Sequence, residues 1–118
     1  TLYSSAIDMW SGGCIFGELL LHKPLLPGKS EEHQLQLICE LLGTPNEKIW
    51  PEVVTLPLHR RWVPPAGCEY NNLAVRFPDA TDGCLDLMNR LLTFNPTRRI
   101  TATSCLQHSY FDEMPAPQ

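Results

Sequence analysis

Between Ser4 and Pro24 apolar side chains fall on nearly every side of a helical turn, interrupted by Asp8, Glu18 and His22. A helix apolar around most of its circumference is enclosed by other elements, so the pattern predicts a central post and not a surface helix. Ser4 or Ser5 is its expected N-cap, and His22 and Lys23 fall in a last turn where positive charge suits the helix dipole. Gly12, Gly13 and Gly17 each weaken the helix by up to about 1 kcal/mol relative to Ala, which points to a close approach by another backbone. "KPLLPGKS" follows, and its two prolines and glycine predict an extended connection with a turn. Ser30 then caps a second helix with Glu31 and Glu32 in its first turn, an apolar face of Leu35, Ile38, Leu41 and Leu42, and Gly43 as a left-handed stop.

"TPNEKIW" places Thr44 as N-cap, Pro45 at the first helical position and Glu47 three residues after the cap, predicting a further short helix. From Pro51 to Pro78 the periodicity dissolves among five prolines. The region from about 44 to 78 therefore reads as a long irregular insert, either functional or a passive connection. Periodicity returns from Thr81 to Leu92, with Leu85, Met88, Leu91 and Leu92 on one stripe and Asp79 or Thr81 as cap. "NPTRRIT" breaks that helix, Thr101 caps a last short one to about Gln107, and "HSYF" precedes a Pro-rich tail from 113 to 118. No segment alternates cleanly enough to be a strand, so the fold class is mainly α.

A length of 118 residues sets one globular unit from 1 to 112,. Thirteen acidic and nine basic side chains leave a net charge of −4, with no basic cluster, which argues against nucleic acid as a partner,. No apolar run reaches the roughly 18 residues of a membrane span, and no basic stretch leads into an apolar leader, so the chain reads as soluble. Its first residue reads as an internal position of a longer protein.

The five cysteines are widely spaced and read as reduced thiols, three of them on apolar helix faces,. His59 and Cys68 are the nearest mixed pair and do not make a zinc site; no His stands in a catalytic relation to a Cys. The phosphate-cradling patterns GxGxxG and GxxxxGK[ST] are both missing, and Ser11 lacks the GxSxG frame. Residue types and spacing alone thus reach a mostly helical domain without an identifiable reaction. Taken by itself Asp8 is a first-turn helix carboxylate favoured by the dipole, and Arg99 a solvated base beside Arg98.

The stretch "YSSAIDMWSGGCIFGELLLHKPLLPGKSEEHQLQLICELLGTPNEKIWP" carries an Asp-x-Trp-x-x-Gly helix, a Pro-Leu-Leu-Pro-Gly turn and a Leu-Gly-Thr-Pro segment. It resembles the C-terminal lobe of eukaryotic protein kinases of the cyclin-dependent type. Asp8, Trp10 and Gly13 occupy the three signature positions. "YNNL" at 70 to 73, "DLMNRLLTFNPTRRIT" at 86 to 101 and "HSYF" at 108 to 111 continue the likeness in order, closest to the PITSLRE-type kinases. Leu26 departs from the usual Phe, and Gly12 from a usual larger residue.

The resemblance implies a helical portion of the kinase C-lobe and a complete protein that uses ATP and magnesium to phosphorylate Ser or Thr. It implies cyclin and protein substrates as partners and an intracellular location, nuclear or cytoplasmic. The glycine-rich loop, the nucleotide-contacting Lys, the His-Arg-Asp loop and the Asp-Phe-Gly magnesium site would all precede residue 1. The segment itself is accordingly expected to hold no catalytic, cofactor-binding or metal-binding residue. Its expected roles are structural. Asp8 accepts from the catalytic-loop backbone, Arg99 pairs with the Glu of the Ala-Pro-Glu segment, Trp10 packs beneath the substrate-binding loop, and Ile15 and Leu19 anchor apolar columns toward the nucleotide. Trp50 and Trp62 in the insert are candidate contacts for a small regulatory subunit. A kinase-derived helical interaction module without activity is the alternative.

Overall fold

A computed structural model of the chain describes residues 2–45 and 71–113. These form six helices: α1 (Leu2–Leu21), α2 (Glu31–Leu42), α3 (Leu73–Arg76), α4 (Asp82–Leu91), α5 (Ala102–Leu106) and α6 (Tyr110–Glu113). No strand occurs among the described residues.

Local side-chain chemistry sets several of the helix starts. Ser30, Thr81 and Thr101 each sit in extended backbone, and each hydroxyl accepts the amide three residues on, from His33, Cys84 and Ser104. These bonds satisfy amides that have no partner within the helix. At the other end of α2, Gly43 donates its N–H to the Cys39 carbonyl with φ 86° and ψ 162°. Its φ is positive as expected, but its ψ is extended and not left-handed helical, so the chain leaves α2 as a straight segment.

Two expectations for α1 change. The helix is already under way at Leu2, which puts Asp8 in the second turn, beyond the stretch where the dipole favours a carboxylate,. It ends at Leu21, and His22 at φ 61° turns the chain, so His22 and Lys23 lie outside the last helical turn,.

The core gathers Leu25 from the connection, Leu41 and Leu42 of α2, Leu73 and Phe77 around α3, and Cys84, Met88 and Leu92 of the α4 segment. On α4 the buried Cys84, Leu87, Met88 and Leu91 oppose the exposed Asp82, Asp86, Asn89 and Arg90; Met88, Leu91 and Leu92 of the expected stripe are buried, Leu85 is only half-buried, and Cys84 and Leu87 join the inner face,. Leu73 is fully buried within α3. The region read as irregular up to Pro78 therefore contains a helical turn, too short to leave a periodic signal.

α1 packs on α4 through Gly13, where a β-carbon would lie 2.9 Å from the Leu91 Cβ and 2.9 Å from the Leu92 Cδ2. Close approach explains this glycine. Gly12 is different: nothing stands within 4 Å of a β-carbon there. The opposite side of α1 is open, with Ile7, Ile15 and Leu19 exposed at 54%, 57% and 67%. Among the described residues α1 is covered on the side that meets α4 and open at Ile7, Ile15 and Leu19, not enclosed on most sides as its composition predicts. The capping pattern after Thr44, Trp50, Trp62, His59 and Cys68 lie outside the described residues.

Candidate functional site

The best-built polar arrangement is centred on Arg99, and the turn before it explains its position. Asn95 is buried, its Oδ1 accepting from the Thr97 amide at 3.1 Å and the Thr97 hydroxyl at 2.8 Å. Its carbonyl accepts the amides of Arg98 and Arg99. This side-chain-closed turn aims Arg99 back toward α1.

All three guanidinium nitrogens then find carbonyls. Nε donates to Thr93 at 2.9 Å, Nη1 to Ala6 at 2.6 Å and Nη2 to Phe94 at 3.1 Å. The planar fork also lies 5.1 Å from the centre of the Trp10 ring, within cation–π range,. Trp10 in turn meets Phe94 at a centroid separation of 6.2 Å. Charge-assisted donors to backbone carbonyls are roughly twice as strong as neutral ones, so Arg99 ties α1 to the segment following α4. Beside it lies an apolar cavity of about 230 Å³ bordered by Trp10, Leu35, Ile38, Cys39, Phe94 and Arg99.

Asp8 is placed differently. Its side chain is exposed, and none of the described residues pairs with its carboxylate. The cost of burying an unpaired charge therefore does not arise in this chain. Asp8→Asn is expected to change its stability by no more than about 0.5 kcal/mol, as judged by the urea midpoint. Gly13 is buried at the α1–α4 contact, whereas Ile15 and Leu19, which an enclosed helix would cover, face outward because α1 spends its inner face on α4.

The family resemblance singles out Trp10 and Arg99 for separate roles, and their contact with each other, like the parts of Asn95 and Phe94, comes from the structure alone. The Asn-Pro-Thr order was the available signal, since Asn before Pro favours a turn closed by its own side chain. Cys39 and Cys84 are buried, Cys14 and Cys105 half-buried, and all four are reduced thiols. Burial raises the Cys14 and Cys105 thiols above their ordinary range, Cys14 with a smaller push from Glu18, so neither is an activated nucleophile,. Among the described residues no three His, Cys, Asp or Glu side chains converge to hold a metal ion. Gly12, Gly13 and Gly17 lie inside α1 and cradle no phosphate. The described residues do not fit ATP or magnesium.

The sequence pattern of the protein kinase domain matches residues 1–111. The chain belongs to this protein kinase family. It is 50% identical over 117 residues to cyclin-dependent kinase 10 of Bos taurus, a match covering 99% of this chain and 32% of the relative. Cyclin-dependent kinase 11B of Homo sapiens is 52% identical over 116 residues, covering 98% of this chain and 14% of the relative. A probable cyclin-dependent kinase 10 of Dictyostelium discoideum is 47% identical over 116 residues, covering 98% and 32%. The chain thus spans about a third or less of the curated relatives it matches. Within the kinase family its helical architecture is that of a C-lobe portion, and Asp8, Trp10 and Gly13 fall together on α1 with Arg99 bonded across to that helix. No helix among the described residues is long and apolar enough to cross a membrane.

Proposed function

We propose that these residues are the scaffold of the C-terminal lobe of a cyclin-dependent serine/threonine kinase, whose complete form transfers the ATP γ-phosphate to protein hydroxyls inside the cell. The observation that carries this reading is the ordered match over residues 1–111 combined with coverage of only 32% of a cyclin-dependent kinase 10 relative. Phosphoryl transfer rests on positioning and charge stabilisation around ATP and magnesium, and the loops that provide these are not among the 118 residues,.

The exposed side of α1 supports the reading. Ile7, Ile15 and Leu19 form an apolar strip beside the unpaired Asp8, a surface suited to the catalytic-loop half of a kinase domain,. In the complete enzyme Asp8 accepts from that loop, Ile15 and Leu19 continue its apolar columns, Trp10 supports the substrate-binding loop and Arg99 pairs with the Ala-Pro-Glu glutamate. Cyclin binds parts of the protein outside this segment, and a small regulatory subunit uses the insert through Trp50 or Trp62. The compartment is the nucleus or the cytoplasm.

The isolated 118-residue chain is expected to show no magnesium-dependent phosphorylation of protein substrates, with or without cyclin, in a labelled-ATP assay. Turnover above a no-enzyme control overturns the scaffold reading. It is also expected to bind a hydrophobic dye through the α1 strip. Asp8→Asn, nearly silent in this chain, is expected to reduce the activity of the complete kinase; equal tolerance in both overturns the assignment of Asp8 to a catalytic-loop contact.

A further inference from the structure

Within the "HSYF" segment the histidine is bonded at both ring nitrogens. The His108 side chain is only 8% exposed. Its Nδ1 accepts the Tyr110 amide at 3.0 Å, and its Nε2 lies 2.6 Å from Asp86 Oδ2 on α4. An amide can only donate, so Nδ1 must present a lone pair; a carboxylate can only accept, so Nε2 carries the hydrogen. One neutral tautomer alone satisfies both ends of the ring.

We infer that His108 is an acid-sensitive clasp: in its neutral Nε2–H form it fastens the start of α6 to α4, and protonation at Nδ1 loosens that helix. The added hydrogen would meet the Tyr110 N–H head-on and abolish the bond that closes the first turn of α6. Whatever the carboxylate gains from an imidazolium falls at Nε2 and restores no acceptor to the Tyr110 amide, and Arg90 Nε already holds the same Asp86 oxygen at 2.7 Å,. An imidazolium would place a second cation on that single oxygen.

The other titratable and charged groups of the neighbouring elements leave this logic intact. α4 supplies Asp86 and Arg90; α5 brings Cys105, whose carbonyl accepts the His108 amide and whose thiol burial raises above its ordinary range, keeping it protonated and uncharged. On α6, Tyr110 packs its ring edge-on against Phe16 of α1 at 5.4 Å, and Asp112 is exposed. Hydrogen bonds from His108 and then Arg90 hold the Asp86 carboxyl below its ordinary range. A depressed carboxyl contributes stability above its unfolded value, about 3.9, and loses it as pH falls through the lower folded value.

The test is NMR of the 118-residue chain labelled with ¹⁵N. Long-range ring correlations are expected to show the Nε2–H tautomer of His108 at pH 8. As pH is lowered toward about 5, the hydrogen-exchange protection factor of the Tyr110 amide is expected to fall about five- to tenfold in step with His108 protonation. His108→Asn keeps an acceptor for the Tyr110 amide but has no titrating ring, and is expected to abolish the pH step. An Nδ1–H tautomer, constant Tyr110 protection through the His108 titration, or an unchanged step in His108→Asn each overturns the inference. Should His108→Asn fail to fold, the ring titration and amide exchange of the unaltered chain decide alone.

Discussion

Gly13→Val is expected to destabilise this chain by about 3 kcal/mol, a large share of the 5 to 15 kcal/mol that holds a typical domain together. The valine side chain would enter space already filled by the Leu91 Cβ and Leu92 Cδ2, each 2.9 Å from the new β-carbon. Leu91 is fixed at its own β-carbon and cannot rotate away, so α1 and α4 must separate or tilt. Cavity-free cores answer such overpacking with strained rotamers and shifted backbone. The neighbouring Gly12→Ala is expected to act in the opposite direction, stabilising the chain by up to about 1 kcal/mol, because it gains helix propensity without a contact to violate. Urea unfolding of both variants checks this: the midpoint should fall for Gly13→Val and rise for Gly12→Ala at unchanged slope. Two adjacent glycines moving the midpoint in the same direction would contradict the α1–α4 packing.

Arg99→Ala carries the second large effect, a loss of about 2 to 4 kcal/mol. It strips donors from the carbonyls of Thr93, Ala6 and Phe94 and exposes the face of Trp10. Arg99→Lys retains the charge but not the planar fork; a single ammonium cannot reach three carbonyls set around a guanidinium, nor stack flat on an indole. It is expected to recover less than half of the loss. Tryptophan fluorescence provides a local readout through Trp10, in addition to the global unfolding midpoint. If Arg99→Lys proves equal to wild type, charge alone and not the fork geometry holds the α1 end of this contact.

Both effects arise where the chain meets itself at long range, and the sequence conveyed them unequally. The caps Ser30 and Thr101, and Thr81 as one of two candidates with Asp79, were legible because each bond spans three residues and depends only on a hydroxyl beside free helix amides,. The apolar stripe of α4 was legible for a similar reason: its period survives whatever it packs against. The family was legible because separated motifs kept their order. By contrast, "SGGC" gives Gly12 and Gly13 the same local description, and only the arrival of α4 separates them.

Arg99 repeats the lesson over a longer distance. Its bond to Ala6 joins residues 93 apart, and nothing near either position announces the other. His108 and Asp86, 22 residues apart, meet in the same way. The outward position of Ile15 and Leu19 likewise depends on which face of α1 meets α4, a choice that an almost uniformly apolar helix leaves undetermined.

The sequence by itself determined the helical class, several capping residues, the amphipathic face of α4 and membership of the kinase family, since these depend on local bonding, periodicity and motif order. Only the tertiary structure decided that Asp8 faces solvent in this chain, that Arg99 is a three-carbonyl brace over Trp10, and that Gly13 and not Gly12 is the close contact. Those outcomes depend on how helices are oriented and where distant backbone comes to rest, and neither is encoded in any short window of residues.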